Sequence, residues 1–216
     1  INQIECSVRD NRPWNTNDAD ANIFGLEPHF GCCTANLSQG WPKFAAHLWM
    51  QPSTGGIAAV AYAPSTLTTT VDGVAVAVEL QTDYPFRTEL TFTVKVDQPI
   101  RFPLLLRIPG WATEATLQIK GKRQSVQAAG SFHTIEQTWQ GETTILLSLP
   151  MVPQPISRPD NRLAIRRGPL VYALTIGEDW QQINIDKPLR ELPHADWEVY
   201  PTTPWNYALM LGDGEL

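Results

Sequence analysis

Beyond Ile57 the chain alternates apolar and polar residues with a period of two. Leu90, Phe92, Val94 and Val96 are interleaved with Thr91, Thr93 and Lys95; Leu104, Leu106 and Ile108 follow, then Leu117 and Ile119. Side chains on a strand point to opposite faces in turn, so each of these runs predicts a strand with one buried face. Similar runs span Val74–Leu80, Thr144–Leu149 and Leu163–Ile176, and Ile57 to Ala63 is apolar and strand-sized. Asp72-Gly73, Asp97-Gln98-Pro99, Pro109-Gly110, Gly121, Gly130 and Gly141 stand between them as turn signals. Roughly eight to ten short strands divided by Gly and Pro indicate an all-β sandwich or barrel, not βαβ units.

The flanks differ. Residues Ile1 to Phe30 are polar, rich in Asn and Asp, and sustain neither period, which suits a loop packed on something else. Between Cys33 and Met50, the positions Leu37, Trp41, Phe44 and Leu48 recur every three or four residues and predict one helix face. Pro42 either kinks that helix or lies in the first turn of a new one, and Pro52 with Gly55-Gly56 ends it. After Gly177 the tail carries Trp180, Trp197, Pro201, Pro204 and Trp205 without a clear period, and its rings are expected to anchor it on the sandwich. The expected boundaries are 1–52 for loop and helix, 53–176 for the β-sandwich and 177–216 for the tail.

Charge narrows the partners. The 216 residues carry a net charge of -6, and the basic pair Arg166-Arg167 lies between apolar segments. A phosphate backbone would be repelled, so no nucleic-acid partner is expected. No stretch approaches the ~18 apolar residues of a spanning helix, so no membrane partner is expected either. The chain opens at Ile1 without a Met or a signal-like segment, which suggests a processed form or an excised fragment and leaves the compartment unread. Three cysteines are too few for a disulfide framework, and Cys32-Cys33 could bridge each other only through a strained ring. Thiol or metal-ligand roles fit the pair better, while pairing of Cys6 with one of them stays open.

The pair also sits where thiols are reactive. Gly31 permits a tight turn, and Cys32-Cys33 then fall at the start of the predicted helix, where unpaired amides and the helix dipole lower thiol pKa. A thiolate there is a competent nucleophile or a soft metal ligand. The plainer alternative treats both as small buried apolar residues. Asp10, Asp18, Asp20 and Glu27 cluster upstream, but no spacing among them defines a carboxyl pair, and a solvated loop explains them. His29, three residues before Cys32, is a candidate substrate contact or zinc neighbour, against the commoner structural role of a lone His. His47, Trp41 and Trp111 read as structural, Trp14 offers a ring face for stacking, and Asn36 could bond a neighbouring loop.

Phe30-Gly31-Cys32-Cys33-Thr34-Ala35-Asn36 resembles the Cys-Cys-x-x-Asn segment of the β-L-arabinofuranosidases of glycoside hydrolase family 127 and its relatives. Asp83-Tyr84-Pro85-Phe86, Arg107-Ile108-Pro109-Gly110-Trp111 and Arg167-Gly168-Pro169-Leu170-Val171-Tyr172-Ala173-Leu174 resemble segments of that family's β-rich region, in the same order. The resemblance implies a mainly β chain: an antiparallel β-sandwich preceded by a loop and one or two helices left from an α/α-barrel catalytic domain. It implies Cys32 as the nucleophile of a retaining glycosidase, and zinc held by Cys32, Cys33 and an upstream Glu-x-Cys. His29 and Glu27 become candidate substrate contacts, and the expected partner is carbohydrate, a plant-type glycan. Glu5-Cys6 is adjacent and does not reproduce the Glu-x-Cys element. Two ligands hold zinc poorly, and the general acid of the barrel is missing, so the isolated chain is expected to be inactive. A non-catalytic carbohydrate-binding sandwich and a structural or oligomerisation domain are the alternatives, the chain then associating with the missing barrel or with itself.

Overall fold

The computed structural model describes residues 36, 38–158, 162–188, 192 and 195–204. The chain divides into two compact units, one holding Phe44–Tyr172 and the other Ala173–Met210 with Ile1–Lys43.

The larger unit is built on one long bent strand pair. Strand β5 (Glu89–Ile108) runs antiparallel to β8 (Ser131–Ser148). The register shifts between Val96 and Ile100: Val96 faces Gly141 and Ile100 faces Trp139, so Asp97, Gln98 and Pro99 oppose Gln140 alone. An excess of two residues bends the strand yet preserves its parity. Leu90, Phe92, Val94 and Val96 before the bulge, and Phe102, Leu104, Leu106 and Ile108 after it, all reach one core.

The bend yields two layers from one sheet. The first half of β5 and the second half of β8 (141–148) form one layer with β4 (Val74–Thr82) and β3 (Ser65–Val71) on one side and β6 (Thr116–Ile119) and β7 (Lys122–Gln124) on the other. The remaining halves form the second layer with β2 (Ile57–Ala59) and β1 (Trp49–Met50). Between the layers lie Trp139, Phe92, Leu80, Leu117, Ile145 and Leu147, all essentially without solvent contact. The arrangement is the expected mainly β sandwich, with one addition: β2 pairs parallel to β5, Ile57 beside Leu104. A parallel neighbour requires a crossover, and β3 and β4 in the opposite layer supply it.

Local chemistry sets the hairpins. Asp72 (φ 46) and Gly73 (φ 81) join β3 to β4, and Lys120 (φ 49) and Gly121 (φ 75) join β6 to β7. Two successive positive φ angles in a two-residue loop match the twist of the flanking strands. A three-stranded sheet of β9 (Pro153–Arg158), β10 (Arg162–Arg167) and β11 (Leu170–Val171) completes this unit.

The helix is shorter than the apolar spacing predicts. It spans Gly40–Ala46, with Pro42 in its first turn. It carries no buried residue: Trp41 is 74% exposed and Phe44 46%, while Leu48 is buried just beyond its end. The expected core role of Trp41 is thereby corrected; a seven-residue helix holds only part of the predicted stripe. The tail by itself forms a hairpin of β12 (Glu178–Ile183) and β13 (Asp196–Pro201), with Trp180 and Trp197 in edge contact at 6.2 Å. Among the described residues no helix is long and apolar enough to cross a membrane.

Candidate functional site

Glu27, His29, Cys32 and Cys33 lie outside the described residues, as do Cys6, Asp10, Trp14, Asp18 and Asp20. Asn36 is described, and its contact is local: its side-chain oxygen accepts from Gln39 Nε2 at 2.9 Å. Among the described residues no group of three His, Cys, Asp or Glu side chains could hold a metal. Cys32 and Cys33, the ligands expected for zinc, lie outside the described residues, and so does His29, the candidate zinc neighbour.

What the fold does bring together is three of the four family-like segments. Tyr62 O–H donates to the Arg107 carbonyl at 2.6 Å, and its ring meets Tyr84 edge-on at 5.9 Å and Phe92 at 6.0 Å. The Asp83–Phe86 segment turns tightly, with the Phe86 and Arg87 amides both donating to the Asp83 carbonyl. Arg167 Nη1 donates to the Phe86 carbonyl at 3.4 Å. Gly168 (φ 58) lies so close to Met151 that a Cβ there would stand 2.4 Å from its sulfur and 3.4 Å from the Trp111 ring. Segments 83–86, 107–111 and 167–172 therefore meet at one end of the sandwich.

Burial pushes the Tyr62 hydroxyl far above the usual tyrosine range and raises that of Tyr84, and the Arg107 charge opposes both shifts. Both phenols stay protonated at neutral pH. On β8, His133 faces inward opposite Leu106; its Nδ1 is buried without a hydrogen-bond partner, and burial lowers its pKa. Sequence reasoning passed over both Tyr62 and His133. His133 falls in phase with Ile135 and Trp139, a signal that could have placed it inward. Tyr62 had no such signal, because it follows the short β2 outside any alternating run. This end offers aromatic packing and two arginines, with neither a nucleophile nor a carboxyl pair, and its evident work is to hold the sandwich end in shape.

A groove of about 490 Å³ opens elsewhere, where edge strand β3 of one layer faces β1, the Gly55-Gly56 turn and β5 of the other. Trp49, Ile57, Leu67, Phe102 and Pro103 give it apolar walls, and Gln51, Thr54, Thr69, Thr70, Asp72 and Arg101 are its polar members. Trp49 is fixed by its Nε1–H bond to Ser65 Oγ at 3.1 Å and by edge contact with Phe92 at 6.2 Å.

Residues 56–151 match the family model described as "Beta-L-arabinofuranosidase, GH127 middle domain". This stretch resembles a GH127 middle domain. Gly56 at its start packs on Pro103, and Met151 at its end packs against Gly168. The chain is similar in fold to a GH127 β-L-arabinofuranosidase from Geobacillus stearothermophilus T6, at 21% identity and TM-score 0.60, over 83% of this chain and 32% of that one. A structure described as a glycoside hydrolase aligns at 22% identity and TM-score 0.65, over 84% of this chain and 30% of that one. A GH127 β-arabinofuranosidase aligns at 17% identity and TM-score 0.55, over 79% and 32%. At these identities the likeness is one of fold, and the chain spans about a third of the length of each structure. A comparison with curated protein sequences finds no match.

Proposed function

We propose that this chain is the C-terminal portion of a retaining glycoside hydrolase of the β-L-arabinofuranosidase type, in which the GH127-like middle domain supports a catalytic barrel outside it. The observation that carries the reading is the family match over residues 56–151; the Cys32-Cys33 pair stands upstream of it, in the order that the resemblance implies. Of the stretch 1–52, β1 (Trp49–Met50) belongs to the sandwich; on this reading the residues before it are the loop and helix remnant of the barrel, and the carbohydrate is an arabinofuranoside or a related sugar of a plant-type glycan.

In the parent, the Cys32 thiolate attacks the anomeric carbon of the bound sugar. The carbon–oxygen bond to the leaving group breaks, a general acid of the barrel protonates that oxygen, and a thioglycosyl intermediate forms. Water then attacks the same carbon, and Cys32 leaves as thiolate. Cys33 would serve with Cys32 as a zinc ligand, alongside further ligands that the parent barrel would supply. His29 and Glu27 are the candidate substrate contacts. On this reading the general acid belongs to the barrel, and the isolated chain is inactive.

The test compares the full-length parent with its Cys32→Ala variant on an arabinofuranoside. Turnover is expected to vanish in the variant while thermal stability stays within a few degrees; equal activity of the two proteins removes Cys32 from the chemistry.

A further inference from the structure

We propose that the groove between β3 and the Gly55-Gly56 turn is a second carbohydrate site, taking a neutral sugar residue of a glycan without cleaving it. The choice of an arabinose-bearing glycan rests on the glycosidase reading above; the groove itself does not.

Three features carry the assignment. The first is the pairing of surfaces. A sugar ring presents C–H faces and hydroxyl edges together, and the groove offers Trp49 and Pro103 beside Thr69, Asp72 and Arg101. Its volume of about 490 Å³ falls within the range of small-ligand clefts. The second is charge. Arg101 is paired with Glu136 at 3.0 Å, and Asp72 is a carboxylate, so the groove carries no surplus positive charge for an anion. A neutral polyol gains both an acceptor and a donor there. The third is preorganisation. Asp72 is set by the β3–β4 turn at φ 46. At Gly56 (φ 84) a Cβ would stand 2.2 Å from the Pro103 carbonyl, so the wall closes only on glycine. Ser65, Leu67, Thr69 and Val71 share the half-buried face of β3, and Thr69 is the polar residue of that face that lines the groove.

The test is an NMR titration of this chain with a linear arabino-oligosaccharide and, separately, a xylo-oligosaccharide. At least one is expected to shift the Trp49 indole N–H and the amides of Thr69 to Asp72, with a Kd in the range of about 0.1–10 mM. Asp72→Asn keeps a residue suited to positive φ and should weaken binding about ten-fold, a loss of about 1.4 kcal/mol. Thr69→Phe fills the groove and should abolish binding while the rest of the spectrum keeps its native dispersion. No shift with either sugar overturns the proposal, as do shifts centred on Phe86 and Trp111 or binding that survives in folded Thr69→Phe. Failure of the glycosidase reading is seen separately, as full activity of the Cys32→Ala parent, and leaves the titration unaffected.

Discussion

Trp139 shows how single residues hold the sandwich. Its ring stacks on Phe102 with centroids 5.4 Å apart, and its Nε1–H donates to the Phe102 carbonyl at 2.9 Å. It lies on the far side of the bulge, opposite Ile100, and ties the bend together. Trp139→Ala should therefore cost about 3–5 kcal/mol, read as a lower urea midpoint at unchanged slope; a loss under about 1 kcal/mol would mean the site collapses around the void. Tyr62 gives a pH dependence. Its folded pKa lies above its unfolded value, so the unfolded state loses the phenolic proton first as pH rises. The stabilisation is complete below about pH 10 and declines above it. Tyr62→Phe should be less stable at neutral pH through loss of the bond to Arg107, by about 0.5–1.5 kcal/mol, and should show a shallower alkaline decline. A decline as steep as in the wild type would assign it to other groups. The inward positions of β5 were legible because strict alternation has one physical cause; Tyr62 was not, because it anchors through a long-range contact, 45 residues away in sequence.

At the scale of elements, turn chemistry was readable where glycine provides the conformation. Asp72-Gly73 and Gly121 mark tight loops, as expected from sequence. Asp97-Gln98-Pro99 was misread as a turn between strands. Its Pro ends ladder bonding, but the partner strand continues past it, and the outcome is a bulge inside one 20-residue strand. Propensity cannot distinguish the two, since both interrupt pairing in the same way. The parity argument makes the bulge testable. Deleting Gln98 alone would turn Phe102, Leu104 and Leu106 outward unless the register slips elsewhere, whereas deleting Gln98 and Pro99 together leaves them facing the core. The single deletion should lower the melting temperature far more than the double one. The reverse order in thermal unfolding followed by circular dichroism would show that the bend, not the parity, is what this segment supplies. The helix was overextended in the sequence reading for a related reason: the stripe at Trp41, Phe44 and Leu48 has helical spacing, but Leu48 reaches the core from beyond the helix end.

At the scale of the whole molecule, the β-sandwich was legible and the candidate groove was not. The groove arises where two edge strands leave the layers open, and its walls come from β1, β3 and β5, which no local pattern links. Cys32, the expected nucleophile, and Cys33, the expected zinc ligand, lie outside the described residues, so the fold neither adds to nor subtracts from their roles. What the fold does establish is where stability resides. Every member of the main apolar cluster lies between Ile57 and Leu149, inside the unit Phe44–Tyr172. The hairpin of β12 and β13 contributes none of them, and a two-stranded ribbon is marginal by itself. A chain ending at Tyr172 should therefore keep a single cooperative unfolding transition with most of its denaturant slope, because the slope follows the surface buried in the core. The hairpin amides should exchange with solvent at low opening free energy, while those of β5 and β8 report the global stability. Loss of the cooperative transition on truncation, or hairpin protection equal to that of β5, would mean that the second unit is integral to the fold of the first.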